Sequence, residues 1–141
     1  MRLDQKYQTL FKKYGINTPL RIAHFMAQLS HESGGFKYLK ELGNNAYFKK
    51  YEGRKDLGNI FAGDGLKYKG RGFIQITGRA NYTELSKDLN IDFVNHPELL
   101  EQEANAIISA LWFWNKNKLN DLADKDDINA ITKRINGGFN G

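Results

Sequence analysis

Between Thr18 and Gly35 the chain carries a segment that admits one local structure. Thr18 offers a side-chain oxygen to the unpaired amides of a helix start, and Pro19 follows at the first helical position, where its missing N–H removes no bond. Gly34-Gly35 supplies the stop. At about 100° per residue, Leu20, Ile22, Ala23, Phe25, Met26, Ala27 and Leu29 cover more than half of the circumference. The pattern predicts a central, mostly buried helix running to about Ser33. Arg21, His24, Gln28, His31 and Glu32 form its narrow polar remainder, with Gln28 and Glu32 each within about 20° of Arg21.

The same periodicity predicts a first helix over Leu3 to Tyr14, ended by Gly15, another over Asn81 to Leu89, and a second strongly buried one over Ala104 to Trp114. Asn95-His96-Pro97-Glu98 is a helix-start signal, and Asp126-Asp127 opens a last helix with Ile128, Ile131 and Ile135 on one stripe, closed by Gly137-Gly138. Gly34 to Gly72 shows no sustained period and is rich in Gly, Lys and Tyr, which predicts irregular loops with short helical turns. Phe73-Ile74-Gln75-Ile76-Thr77 alternates as one short strand would. With no repeat or linker, residues 1–141 read as a single mainly α domain. Its helices pack around a glycine-rich middle that forms a cleft with a little β structure.

Composition narrows the chemistry. The chain has no cysteine, so disulfides, thiolate metal sites and a cysteine nucleophile are excluded. Met1 to Gly15 has charges every few residues and no apolar signal core, and Ala110 to Trp114 is too short to span a bilayer. These features predict a protein made in the cytoplasm without a signal peptide or membrane insertion. A formal charge of +5 favours anionic partners. His31-Glu32 lacks the second histidine of a zinc-protease motif, since Gly35 stands four residues on, and Gly70-Arg71-Gly72 lacks the third glycine of a dinucleotide loop, since Gln75 stands there. His24, His31 and His96 have no partners at metal spacing, so no metal and no cofactor is expected.

Glu32 falls in the last turn of a nearly apolar helix, where desolvation and the negative end of the helix dipole both favour the protonated carboxyl. That makes it a candidate general acid. Nine residues on, Glu41 follows a loop that breaks helical phase, so the two carboxylates can stand on opposite walls of a cleft. Two opposed carboxylates are what glycoside hydrolysis requires, one protonating the leaving oxygen and the other activating water. On spacing alone, Glu52, Asp56 and Asp64 compete with Glu41 for the second role.

The stretch Tyr68-Lys69-Gly70-Arg71-Gly72-Phe73-Ile74-Gln75-Ile76-Thr77, continuing to Asn81, follows His31-Glu32 and precedes Asn136-Gly137-Gly138. These three motifs resemble family-19 glycoside hydrolases, the group of plant-type chitinases and phage endolysins, and the resemblance implies an α+β lysozyme-like fold. The short interval between the carboxylates is like the endolysin branch. The resemblance implies that Glu32 is the general acid, Glu41 the general base and Thr77 the holder of the attacking water. It also implies that Tyr68, Gln75, Asn81 and Asn136 line the sugar subsites. Neutral amides and hydroxyls bond sugar hydroxyls in both directions, and an aromatic ring offers a pyranose an apolar face. The chain ends three residues after Gly138, without the family's usual closing segment and arginine. Part of the cleft wall is therefore expected to be missing.

The expected partner is the glycan strand of peptidoglycan, cut by a monomeric enzyme that reaches the wall after release from the cytoplasm. With no separate wall-binding module read in the sequence, the positive charge is the expected means of adsorption. A chitinase and a lytic transglycosylase are the enzyme alternatives. A nucleic-acid binder is the non-enzyme one, because Lys49, Lys50, Lys67 and Lys69 are interleaved with Tyr47, Phe48, Tyr51 and Tyr68. The favoured reading takes no nucleic acid.

Overall fold

The computed structural model describes the backbone of residues 2–140 and the side chains of residues 2–136. In chain order the helices are α1 (Leu3–Lys6), α2 (Gln8–Lys13), α3 (Pro19–Glu32), α4 (Asn45–Phe48), α5 (Asp64–Lys67), α6 (Arg79–Leu89), α7 (Glu103–Lys116), α8 (Leu119–Asp124) and α9 (Ile128–Asn140). Short 3-10 turns occupy Lys49–Tyr51, Lys55–Leu57 and Pro97–Glu101. The mainly α expectation holds. Among the described residues no helix is long and apolar enough to cross a membrane.

Helix α3 begins as its sequence dictates, with Thr18 Oγ1 accepting from the Arg21 amide at 3.2 Å. Its buried face differs from the expected one. Leu20 is 40% exposed, and Ala23 and Ala27 are also exposed, whereas His24 and Gln28 are buried. The cause is a polar seam with α8 and α9. The Arg21 guanidinium donates to both Asp124 oxygens at 2.8 and 2.7 Å, His24 Nε2 meets Asp126 Oδ1 at 2.6 Å, and Gln28 Nε2 donates to Thr132 Oγ1 at 3.0 Å. Arg21, His24 and Gln28 of the polar remainder thus form an interface, and Glu32 ends the same helix.

Phe25 and Leu29 of α3 enter a core built on α7, whose residues Ala106, Ile107 and Ser109 to Trp114 are all buried. Phe25 stands edge-on between Phe11 and Trp114, with centroids 5.2 Å apart on each side. A smaller apolar cluster of Phe48, Tyr51 and Leu57 lies under the glycine-rich middle.

Four further expectations are corrected. The first helix breaks at Tyr7, whose hydroxyl donates to Glu103 at 2.7 Å and so draws that residue toward α7. His96 makes no side-chain cap; the turn after it starts on Pro97. The last helix continues through Gly137-Gly138 to Asn140. Phe73 to Thr77 is a tight turn, closed by the Arg71–Ile76 bridge, with a second bridge between Lys40 and Arg71. Phe73, Ile74 and Ile76 are all buried, so the side chains do not alternate between core and solvent as a half-exposed strand requires. Gly72 makes the turn possible: its φ is +83°, and a Cβ there would lie 2.8 Å from Ser109 Oγ.

The glycine-rich middle is tied to α6 by charge. Arg79 Nε and Nη2 each donate to Asp64 at 2.8 Å, and Asp64 is only 1% exposed. The Arg79 amide donates to Asn59 Oδ1, while Asn59 Nδ2 donates to the Tyr51 carbonyl. Asp64→Ala is expected to destabilise the fold by about 3 kcal/mol, the lower end for breaking a buried pair, because 25% of the Arg79 side chain remains exposed. Urea unfolding measures it; a loss below about 1 kcal/mol, as for a surface pair, would show that this tie does not hold the middle in place.

Candidate active site

A pocket of about 130 Å³ opens where the C-terminal end of α3 faces α9 and the Arg71–Ile76 turn. Glu32, Glu41, Gln75, Thr77 and Asn136, five of the seven residues expected at the site, line it. Tyr51, Ile74 and Ile135 complete the wall.

The two carboxylates sit in opposite surroundings. Glu32 ends α3 beside Ile135, and burial pushes its carboxyl above the ordinary range, offset in part by the neighbouring His31. Glu41 is ringed by donors. Tyr51 Oη donates to its two oxygens at 2.8 and 3.1 Å, Tyr47 Oη donates at 3.1 Å and the Gly70 amide at 3.2 Å. Lys50 Nζ stands 3.8 Å away. The Glu41 amide also donates to the Gly70 carbonyl at 2.8 Å, which pins this wall to the turn.

Gly70 is where the polar groups converge. A Cβ there would lie 2.7 Å from Gln75 Oε1, 3.1 Å from Glu41 Oε1 and 3.3 Å from Thr77 Oγ1. Three oxygens therefore surround one hydrogen of a glycine, and a methyl group has no room. Each is held from behind. Gln75 Nε2 donates to the Gly72 carbonyl at 2.9 Å, which turns Oε1 the other way, and Thr77 Oγ1 donates to the Gln75 carbonyl at 3.0 Å. With its proton spent, the Thr77 hydroxyl faces the pocket as an acceptor.

Two of the residues expected at the sugar subsites are placed elsewhere. Tyr68 is fully buried, its hydroxyl donating to the Val94 carbonyl at 2.7 Å and its ring 5.0 Å from that of Tyr82, so it supports the turn from within the core. Asn81 lies on α6 outside the pocket lining, and its Nδ2 donates to the Thr77 carbonyl at 2.7 Å. Its part is to hold the backbone that carries Thr77.

The acidic rivals of Glu41 are occupied. Glu52 accepts from the Gly63 and Gly65 amides, both at 2.8 Å, and these bonds hold its carboxyl below the ordinary range. Asp56 pairs with Arg54, and Asp64 with Arg79. None of the three lines the pocket. Among the described residues no group of three or more His, Asp or Glu is placed to hold a metal ion.

Sequence reading missed Tyr51, although Tyr47 and Tyr51 stand four apart, the spacing that places two side chains on one side of a helical turn. Burial and its bond to Glu41 push the Tyr51 phenol up, so it remains a donor. Tyr51→Phe keeps the ring and is expected to lower kcat about tenfold, the value of one hydrogen bond to a charged group, with KM little changed. Steady-state kinetics decide it: a change confined to KM would make Tyr51 a substrate contact rather than a support for Glu41.

The family model for chitinase class I, glycoside hydrolase family 19, matches residues 15–134. A Haemophilus influenzae protein described as containing a glycosyl hydrolase family 19 domain is 35% identical over 166 residues, covering 97% of this chain and 80% of its own. An endochitinase of Arabidopsis thaliana is 36% identical over 118 residues, covering 83% of this chain. This chain spans 39% of that plant protein's length. Among solved structures, the class IV chitinase of Zea mays superposes with a TM-score of 0.68 at 27% identity, covering 92% of this chain and 64% of its own. Chitinase C of Streptomyces griseus superposes with a TM-score of 0.59 at 30% identity, over 77% of this chain and 47% of its own. Motifs, fold and relatives agree: this chain belongs to glycoside hydrolase family 19, a family of enzymes that act on glycosidic bonds.

Proposed function

We propose that this domain hydrolyses β-1,4 bonds in the glycan of bacterial peptidoglycan by single displacement, as an endolysin that reaches the wall after release from the cytoplasm. The observation that carries the chemistry is the unlike pair in one pocket, a carboxyl whose pKa burial raises and a carboxyl ringed by donors. Glu32 donates its proton to the leaving glycosidic oxygen as the bond to the anomeric carbon breaks. A water between Glu41 and Thr77 gives one proton to Glu41, directs the other at Thr77 Oγ1 and attacks the opposite face of the sugar with its free lone pair. Gln75 Oε1 and the Asn136 amide, on the same wall, accept from and donate to sugar hydroxyls.

The net charge of +5 favours the anionic wall polymer over neutral chitin as substrate. Chitin is the second reading, favoured by the endochitinases among the relatives. Mass spectrometry of fragments released from purified peptidoglycan, with chitin oligomers in parallel, separates them. Reducing muropeptides support the proposal, anhydro ends indicate a transglycosylase, and cleavage of chitin alone overturns the peptidoglycan assignment. Lysis of cells stripped of their outer membrane is expected to fall about tenfold between 0.05 and 0.5 M salt, as screening shortens the reach of charge from about 14 to 4 Å. Hydrolysis of a short neutral oligosaccharide is expected to change far less; equal salt sensitivity would remove charge from adsorption.

A further inference from the structure

Among the described residues, a single hydrogen bond joins the helix that carries Glu32 to the helix that carries Asn136. Gln28 Nε2 of α3 donates to Thr132 Oγ1 of α9 at 3.0 Å, and no other hydrogen bond or ion pair among those residues links the two helices. The neighbouring polar residues of α3 reach elsewhere: Arg21 pairs with Asp124 of α8, and His24 with Asp126, ahead of α9. Gln28 precedes Glu32 by four residues, and Thr132 precedes Asn136 by four. Four residues are about 6 Å along a helix axis and return a side chain to the same face. The bond therefore lies one turn from each of two residues that line the pocket from different helices.

Stability alone does not call for this bond. Gln28 is 4% exposed, and its Oε1 is buried without a hydrogen-bond partner. An apolar pair of similar shape would fill the same space and leave no orphaned carbonyl, and replacing both partners in that way can be neutral or stabilising. What the amide and the hydroxyl supply is direction. Ile131 and Ile135 bury one side of α9, but apolar contact is non-directional and tolerates small rotations and slides of a helix. A hydrogen bond is confined to a short distance and a favoured angle, so it fixes α9 against α3 in one rotation and one register.

We propose that Gln28 and Thr132 are a positioning pair for the reaction, setting the gap between the Glu32 carboxyl and the sugar held by Asn136. Neither lines the pocket; each acts through the residue one turn further on. The leaving oxygen has to lie within hydrogen-bond reach of the acid, and a misplacement of about 1 Å can cost about a hundredfold in rate. A rotation of α9 carries Asn136 and its bound sugar with it, while Glu32 stays on α3. The roles of Glu32 and Asn136 rest on the reading under Proposed function; the link between their helices does not.

The test compares Thr132→Val, Thr132→Ser and the double change of Gln28→Leu with Thr132→Val. Thr132→Val keeps the shape but strands the Gln28 amide, and is expected to lower both the melting temperature and kcat. The double change removes both polar groups and is expected to restore the melting temperature while kcat stays about tenfold down. Amide NMR of the double variant is expected to show shifts that reach Glu32 and Asn136. Thr132→Ser keeps the hydroxyl and is expected to keep kcat near the wild-type value. Wild-type kcat in a double variant of restored stability overturns the proposal, and so do NMR shifts confined to the neighbours of residues 28 and 132. If the double variant packs poorly, serine against valine decides alone: a Thr132→Ser protein as slow as Thr132→Val overturns the pair. Kinetics use whichever of peptidoglycan and chitin oligomers the wild type cleaves, so failure of the peptidoglycan assignment leaves the test intact. Retained activity in Glu32→Gln counts against the acid role, whereas wild-type kcat in the stable double variant counts against the pair.

Discussion

Glu32→Gln is expected to cut turnover by about 10²- to 10⁴-fold, the usual contribution of a positioned general acid, while the protein stays folded. The glutamine keeps the shape of the side chain at the end of α3 and lacks the proton that the leaving oxygen needs. Stability distinguishes this loss from unfolding. Burial raises the Glu32 pKa in the folded protein above its unfolded value. Its contribution to stability is therefore full below the unfolded pKa and is lost as pH rises through the folded one. Above the raised pKa the wild type carries a desolvated carboxylate that glutamine does not. The variant is expected to melt at an equal or higher temperature there and to lose that advantage in acid. In the wild type, kcat/KM is expected to fall as pH rises through the raised pKa. A variant that keeps a tenth of the activity, or that melts well below the wild type above that pKa, would remove Glu32 from the acid role.

Glu41→Gln is expected to be as damaging to hydrolysis, again by about 10²- to 10⁴-fold, because an amide cannot take the proton of the attacking water. The donors around Glu41 make this substitution a sharp probe. Tyr51, Tyr47 and the Gly70 amide all point at its oxygens, and the amide NH₂ of glutamine would face at least one of them donor to donor. Binding of a trisaccharide, which does not need the base, is expected to survive. For single displacement the new reducing end appears with inverted anomeric configuration, and the carboxyl groups stand roughly 6.5 to 9.5 Å apart in the substrate complex. Proton NMR of the first product reads the configuration. Retention, anhydro ends, or near wild-type activity of Glu41→Gln would sink the two-carboxylate mechanism and leave Glu32 and the fold in place.

What could be read from the residues depended on how local the cause was. Helix α3 was legible because its start and stop are chemical events within a few residues, the Thr18 cap, Pro19 and the glycine pair. Helix α7 was legible because so long an apolar stretch has few alternatives. The turn at Phe73 to Thr77 was misread as a strand because burial on both sides has no signature in an alternation pattern. Helix α8 (Leu119–Asp124) was not foreseen: its six residues carry too little period, and its place is set by the ion pair of Asp124 with Arg21, far away in sequence.

For the site, the sequence by itself determined which groups are available: two carboxylates on either side of a glycine-broken loop, a hydroxyl, and neutral amides in the order of a known family. Tertiary structure decided which of them meet. Tyr68 and Asn81 belong to the same motif as Gln75 and Thr77, yet the turn sends the first pair inward and behind and the second pair into the pocket. Glu41 is singled out from Glu52, Asp56 and Asp64 only because those three find amides or guanidinium groups nearer at hand. The raised pKa of Glu32 likewise comes from its burial at the end of α3, where Ile135 and Asn136 of α9 share the pocket. Residue types and order set what chemistry is possible; burial and hydrogen-bond partners set protonation and direction, because both arise from groups brought close by folding rather than by sequence.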